Sequence, residues 1–277
     1  MAGEAGGFRE FEVVERRPEG ARVVSLVLAA ADGAPLAPFE PGQFLTFRIP
    51  GPDGRPVPRN YSLSGDPADP TRYRISVRRE ADPATGSSHM HAQVPVGARL
   101  QATGPKGRFV LDRASWRPVI LIAEDIGLTP LMAMAQALGA AGDRPVLLVH
   151  TVSNPEEALF GADLAGQAAA APNVTVRRLL LDAEDQAPAG FDGTGALTAA
   201  HLRAWLPIGD YEAYLCGPRL FLTVTAALLE SLGLRPERIL TETFEPSRPA
   251  PRPVAAPAPI AVPPPAVRAP GGPTVTF

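Results

Sequence analysis

The sequence predicts two domains in series: an antiparallel Greek-key β-barrel, then an α/β domain built on a parallel sheet. Three observations predict it. Between about residues 8 and 111, six short segments rich in β-branched and aromatic residues are separated by Gly, Pro and Asp clusters, the pattern of strands joined by turns. After Trp116, continuous apolar runs alternate with helical segments, which implies parallel strands covered on both faces. At 277 residues the chain can bury two cores.

The six barrel strands are read in REFEVVERR, ARVVSLVLAA, GQFLTFRIP, RPVPRNYSLS, TRYRISVRRE and ARLQATGP. Six antiparallel strands close, or nearly close, into a barrel that leaves few edges to protect. The stretch from Ser87 to Val94 alternates poorly and reads as a short helix or plug. In the second half PVILIA, PVLLVHTV, NVTVRRLL, DYEAYLC and RILTETF are strands. TPLMAMAQALGAAG, NPEEALFGADLAGQAAAA and PRLFLTVTAALLESLG are helices between them. The domains are placed at 1–112 and 118–246. In the remaining segment, 247–277, ten of 31 residues are proline, which favours extended, semi-rigid linker geometry.

Composition narrows the function classes. A net charge of −3 gives no general attraction to nucleic acid or to an anionic membrane. One cysteine, Cys216, excludes an internal disulfide and a cysteine-ligated metal centre within this chain, and fits a reducing cytoplasm. The first residues, MAGEAGGFREFEVVERR, lack the apolar run of a signal peptide, and no stretch of 18 apolar residues offers a membrane span.

Four constellations carry chemical content. Arg59-Asn60-Tyr61-Ser62 puts Arg59 and Tyr61 on one strand face and Asn60 and Ser62 on the other. A guanidinium beside a phenol and a hydroxyl can grip a phosphate, pack on a flat ring and reach a ring nitrogen; a solvated arginine with half-buried neighbours would give the same pattern. Ser87 through His91 offers a helix start at which Ser87 is the cap. His89 and His91, two apart, are a poor metal pair, and no metal site is expected. Glu124-Asp125-Ile126-Gly127-Leu128-Thr129-Pro130 follows an apolar strand and opens a helix, the place where open parallel sheets bind ligands. Thr129 reads as the N-cap and Pro130 as the first helical residue, although the GxGxxG fingerprint is absent. Cys216-Gly217-Pro218 is a second strand-to-helix turn, in which the thiol can equally be a small buried hydrophobe. Phe244 ends the last strand and can pack on the barrel or cover a planar ligand.

Taken in order, these pieces resemble the ferredoxin–NADP reductase superfamily, particularly its flavohaemoglobin-type and ferredoxin-fused NADH oxidoreductases. The resemblance spans roughly residues 8–246 and includes Tyr73 to Glu80, Gly104 to Phe109 and Ile239 to Phe244. It implies a flavin-dependent NAD(P)H oxidoreductase. Arg59 would hold the flavin phosphate, Tyr61 would pack on the ring, and Ser62 would lie close to the ring nitrogen that accepts hydride. Asn60, Ile75, Ser76, Val77, Ser87, Met90 and His91 join them as cofactor-binding positions. Gly127, Thr129, Pro130, Cys216, Gly217 and Pro218 would cradle the nicotinamide, with Ser62, Cys216 and Phe244 at the chemistry.

The Pro105-x-Gly107-x-Phe109 pattern resembles the FAD branch more than the FMN branch. NADH is preferred over NADPH, because Arg177 and Arg178 are the only candidates for a 2′-phosphate. Some members carry a [2Fe–2S] domain after a linker, beginning with a strand resembling Pro273 to Phe277. The resemblance therefore implies an iron–sulfur or haem acceptor, on an absent domain or a partner. The chain departs from the family at Glu124 and Asp125, where small residues or two glycines are usual. Two carboxylates there would repel a pyrophosphate, so weakened or displaced nicotinamide binding is expected unless both point into solvent. The alternative is a flavin-binding regulatory module with impaired nicotinamide binding.

Overall fold

The computed structural model describes residues 7–51, 54–80, 86–155, 158–183, 187–206 and 209–244. The expected linker, 247–277, lies outside them.

Short β-prone segments separated by turns make the first sheet. β1 (Arg9–Pro18), β2 (Val23–Ala30), β3 (Phe44–Pro50), β4 (Pro56–Ser62), β5 (Tyr73–Arg78) and β6 (Arg99–Lys106) form one sheet in the order β4-β3-β6-β1-β2-β5. Every pairing is antiparallel. β6 returns to lie between β3 and β1, the long connection of a Greek key. Phe11, Val13, Leu26, Leu28, Leu45, Phe47, Ile49, Ile75 and Val77 point to one side and form its core. The two edge strands meet at a bridge between Leu63 and Ile75, beside which the Ser64 amide donates to the Arg74 carbonyl at 2.8 Å. Beyond that bridge the β4–β5 ladder stops, and α1 (Gly86–Ala92) packs against β3 and β5. Met90, fully buried, inserts into the same core.

The second sheet is wholly parallel, in the order β10-β9-β8-β7-β11-β12. Its strands are β7 (Val119–Glu124), β8 (Val146–Val152), β9 (Val174–Leu180), β10 (Gly193–Thr194), β11 (Glu212–Gly217) and β12 (Ile239–Thr243). β8 and β11 are buried along their whole length, as strands covered on both faces must be. One face packs with α2 (Leu128–Ala141) and α3 (Gly161–Ala170), the other with α4 (Ala199–Trp205) and α5 (Arg219–Ser231). Nine residues of α2 are buried, because it is covered on two sides: Leu131 and Met134 join the parallel-sheet core, and Ala133 joins the barrel core. A helix apolar all round belongs in such a place.

Both sheets lie in one compact unit that ends at Phe244. Their connection is pinned by Arg144, which pairs with Glu212 at 2.8 Å and donates to the Asp112 carbonyl at 2.7 Å. The Asp112 amide donates to the Tyr214 hydroxyl at 2.9 Å.

Three local expectations change. The helix expected from Asn154 begins at Gly161, because Phe160, buried in the core, turns left-handed at φ 51°. α4 and β10 were not foreseen. Thr129 is not an N-cap: a 3-10 turn (Asp125–Gly127) leads into α2, whose cap is Gly127, and the Thr129 hydroxyl donates to the Ile126 carbonyl at 3.0 Å.

Candidate functional site

β4 is an edge strand, so its residues face the opening left where the sheet fails to pair. Arg59 and Tyr61 stand opposite Phe47 and Leu45 and share their face. Arg59 donates to the Pro58 carbonyl at 3.0 Å and has no carboxylate partner among the described residues. It runs along the start of α1: a Cβ on Gly86 would lie 3.1 Å from its Cγ and 3.3 Å from its Nε. Glycine at 86 therefore lets the guanidinium lie against the helix. Tyr61 packs on Phe47 with ring centroids 5.7 Å apart, and burial pushes its phenol up. Ser62 is 4% exposed, and among the described residues its hydroxyl meets no hydrogen-bond partner. Two residues on, the Ser64 carbonyl accepts from Gln136 of α2 at 3.4 Å, so this end of β4 lies at the seam between the sheets.

Other expected residues spend their side chains elsewhere. Asn60 lies on the opposite face of β4 and accepts from Thr46 at 2.7 Å, a cross-strand bond. Ile75 and Val77 point into the barrel core, and Ser76 joins a buried serine cluster with Ser25 at 2.8 Å and Ser64 at 3.2 Å. Only backbone atoms of 75–77 remain to border a ligand. Met90 is a core plug. His91 places Nε2 2.8 Å from the Val77 carbonyl, tying α1 to β5, and burial lowers its pKa. Ser87 sits within α1 instead of capping it, and its hydroxyl accepts from the Glu80 amide at 3.1 Å.

The second cluster follows from sheet order. The chain runs outward from β7 through β8, β9 and β10, then returns to place β11 on the other side of β7. The crevice between the carboxyl ends of β7 and β11 is therefore a topological switch point, where open α/β sheets take ligands. Gly127 and the Cys216-Gly217-Pro218 turn meet there. A Cβ on Gly127 would lie 2.1 Å from the Cys216 carbonyl oxygen, so this glycine admits the chain's own backbone. Pro130 and Thr129 are buried in the first turn of α2.

Cys216 is fully buried on the face that looks toward α2, and burial, with the Glu242 carboxylate beside it, pushes its thiol up. Glu242 stands in register with Cys216, one strand over. Its Oε2 is buried without a partner among the described residues, and burial lifts its pKa to about 7. Phe244 packs against the same core. Glu242 escaped the sequence reading because in TET it looks like any half-exposed strand residue; only the parallel register puts it beside Cys216.

Neither crevice carboxylate turns fully to solvent. Asp125, 7% exposed and at φ 47°, accepts from the Ser153 amide and hydroxyl, each at 3.2 Å, and pairs with Arg78 of β5 at 3.5 Å. His150, wholly buried, bonds the Asp125 carbonyl through Nε2 at 3.1 Å; burial drives its pKa to about 3. Glu124 is half-buried, and burial, then the charge of Asp125, raises its pKa against the opposing pull of Arg78. Its Cβ lies 3.2 Å from where a Gly217 Cβ would be.

These residues fit a flavin dinucleotide by their donor chemistry. Among the described residues, an arginine without a carboxylate partner lies against a glycine-opened helix start, and a near-buried hydroxyl without a hydrogen-bond partner stands on the same edge strand. Among the described residues no group of His, Cys, Asp and Glu could hold a metal ion, and no helix is long and apolar enough to cross a membrane.

Comparison with known proteins agrees. A family model for the oxidoreductase NAD-binding domain matches residues 121–227. The flavohaemoprotein of Deinococcus radiodurans is 37% identical over 257 residues, covering 89% of this chain and 62% of that protein. The chain thus spans less than two thirds of the length of the curated relatives it matches first. Among solved structures, the flavohaemoprotein-like FAD/NAD-binding domain of nitric oxide dioxygenase from Vibrio cholerae O1 biovar El Tor matches with TM-score 0.78 at 31% identity, covering 86% of this chain and 99% of that one. Phthalate dioxygenase reductase, a modular structure for electron transfer from pyridine nucleotides to [2Fe–2S], matches with TM-score 0.71 at 25% identity, covering 88% of this chain and 70% of that one.

Proposed function

Because the chain belongs to the flavohaemoprotein- and ferredoxin-reductase-type superfamily of FAD/NAD oxidoreductases, we propose that it moves electrons from NADH, through FAD, to an external one-electron acceptor. The observation that carries this reading is the edge strand β4, where, among the described residues, Arg59 has no carboxylate partner and the Ser62 hydroxyl has no hydrogen-bond partner. FAD, when bound, supplies hydride acceptance and the conversion of an electron pair into single electrons.

The chain's own residues supply position and polarity, since hydride transfer needs alignment and exclusion of water more than a strong acid or base. Arg59 would answer the phosphates, Tyr61 would pack on the ring system, and the Ser62 hydroxyl would donate to its edge. In the switch-point crevice, Gly127 packs directly on the Cys216-Gly217-Pro218 turn, and the two turns together would form the wall against which nicotinamide lies. Cys216 stays a neutral thiol, and Glu242 is neutral below about pH 7, so the surface opposite the ring carries little charge. Phe244 closes that side.

Preference for NADH is supported by the two arginines available for a 2′-phosphate. Arg177 is paired with Asp192 at 3.2 Å, and Arg178 lies over the Phe191 ring at 4.7 Å. Residues 1–112 form the FAD-holding part and 118–246 the nucleotide-holding part in this reading. The acceptor is an iron–sulfur or haem centre carried elsewhere, as the names of the flavohaemoprotein and reductase relatives suggest. A cytoplasmic setting belongs to the same proposal, supported by the lone thiol.

The test is colour. The purified chain should be yellow and should bleach anaerobically with NADH, more slowly with NADPH. A colourless protein refutes the reading. A yellow protein indifferent to both nucleotides supports instead a binding module, with the unpaired Glu124 carboxylate in its crevice as the cause.

A further inference from the structure

Arg74, Ser76 and Arg78 occupy alternate positions of β5, and so share the face turned away from the barrel core. Each finds a partner. Ser76 belongs to the serine cluster already described. Arg74 pairs with Asp163 of α3, donates to the Ser64 carbonyl, and lies over the Phe160 ring at 4.8 Å. Arg17 of β1 reaches the same Asp163 at 3.0 Å. Arg78 pairs with Asp125, whose carboxylate is also held by Ser153 of the segment following β8. Both acidic partners belong to the α/β half, and both arginines to the barrel half. The strand that borders the cofactor opening is thus joined to the nucleotide-binding half at two points along one face.

The Asp125 end is the one near the chemistry. Asp125 lies in the turn between β7 and α2, at the rim of the switch-point crevice, and its backbone sits in the left-handed region at φ 47°, which glycine adopts without strain. The side chain is 10% exposed, and its carboxylate is held by Arg78 of β5 and by Ser153 after β8. The Arg74 end flanks a cleft of about 620 Å³ whose lining includes Arg17, Arg74, Asp163 and Gln167 but none of Arg59, Ser62, Cys216 or Glu242. It serves as an anchor away from the site.

We propose that Arg78 and Asp125 are a positioning pair: with Arg74–Asp163 as the second anchor, they fix how the barrel faces the parallel sheet and so how close nicotinamide comes to the flavin. This inference rests on the NADH reading for its catalytic consequence and on geometry alone for its structural one.

The experiment reads the two separately. Cysteines replacing Val96 in the barrel and Leu220 in α5, 59% and 75% exposed, carry spin labels; native Cys216, fully buried, stays unlabelled. Pulsed electron paramagnetic resonance on the full chain should give one narrow distance distribution, and Arg78→Met or Asp125→Asn should broaden or shift it. Anaerobic stopped-flow mixing of Arg78→Met with NADH should show bleaching slowed roughly tenfold or more. Rates are compared at saturating NADH, flavin content should match the parent, and Arg78→Lys should recover part of the rate. An unchanged distance distribution overturns the proposal, as does bleaching at the parental rate. Loss of flavin from Arg78→Met overturns it too, making Arg78 a cofactor ligand. If NADH does not bleach even the parent, the proposed reaction falls, and the distance measurement alone decides whether the pair holds the halves together.

Discussion

Replacing Glu242 by glutamine should stabilise the protein, and only above mildly acidic pH. Burial raises this carboxyl from an ordinary 4.5 to about 7, and its Oε2 lies buried without a partner among the described residues. Below about pH 4.5 the group is neutral in folded and unfolded chains alike and contributes nothing. As pH rises toward 7 the unfolded chain ionises first and is favoured; above 7 the penalty on the folded state is complete and constant. At about 1.4 kcal/mol per pH unit the full penalty is about 3 kcal/mol, and solvent reaching the partly exposed side chain reduces it to about 1–2 kcal/mol. Glu242→Gln removes the ionisation and keeps the shape. For a chain of this size that corresponds to a rise in melting temperature of roughly 2–8 °C. The assay is thermal melting of both proteins from pH 4 to 8.5. The difference between them should open between about pH 4.5 and 7 and then stay level. A difference that does not change with pH, or one that opens toward acid, refutes the assignment of that burial to Glu242.

Arg59→Ala should leave the fold intact, because Arg59 has no carboxylate partner among the described residues; losing a charge-assisted phosphate contact should weaken flavin retention by about 2 kcal/mol, roughly 30-fold, read by flavin fluorescence titration. Gly127→Ala places a methyl 2.1 Å from the Cys216 carbonyl oxygen and should cost about 1–3 kcal/mol in denaturant melts as the two turns are forced apart. Arg144→Met strands Glu212 at a site where the pair's side chains are 3% and 9% exposed and should cost about 3–5 kcal/mol; the double variant Arg144→Met/Glu212→Leu should recover most of it.

Most of the fold was legible because each sheet announces its environment. β1 to β6 are short segments rich in β-branched and aromatic residues set between Gly, Pro and Asp clusters, and β7, β8 and β11 carry continuous apolar stretches, as strands buried on both faces do. What escaped was short or atypically signalled. β10 is two residues long. α4 is opened by a capping box in which Thr198 accepts from the His201 amide and the His201 ring takes the place usually held by Glu or Gln. The segment from Asn154 has helical composition, yet the helix waits for Phe160, whose buried ring under Arg74 imposes a left-handed turn that no local propensity encodes.

The site was legible in outline for the same reason that single residues misled. A motif records which residues are neighbours in the chain, whereas their duties are set by strands that pair across it. Gly127 looked like room for a ligand; the space is taken by the Cys216 carbonyl, 89 positions away by the numbering. Asp125 looked like a charge opposing a dinucleotide; its charge is answered by Arg78 from the other sheet. Once Asp125 is compensated, Glu124 is the crevice carboxylate left without a partner among the described residues, and it is also the one whose ionisation burial and Asp125 both resist. In the proposed reading, the Arg59 guanidinium, without a carboxylate partner among the described residues, suits phosphates; the neutral Cys216 thiol, beside Glu242 that is neutral below about pH 7, suits a flat ring; and the cross-sheet pair at Arg78 and Asp125 neutralises itself. A charged ligand bound in the crevice would therefore be opposed chiefly by Glu124.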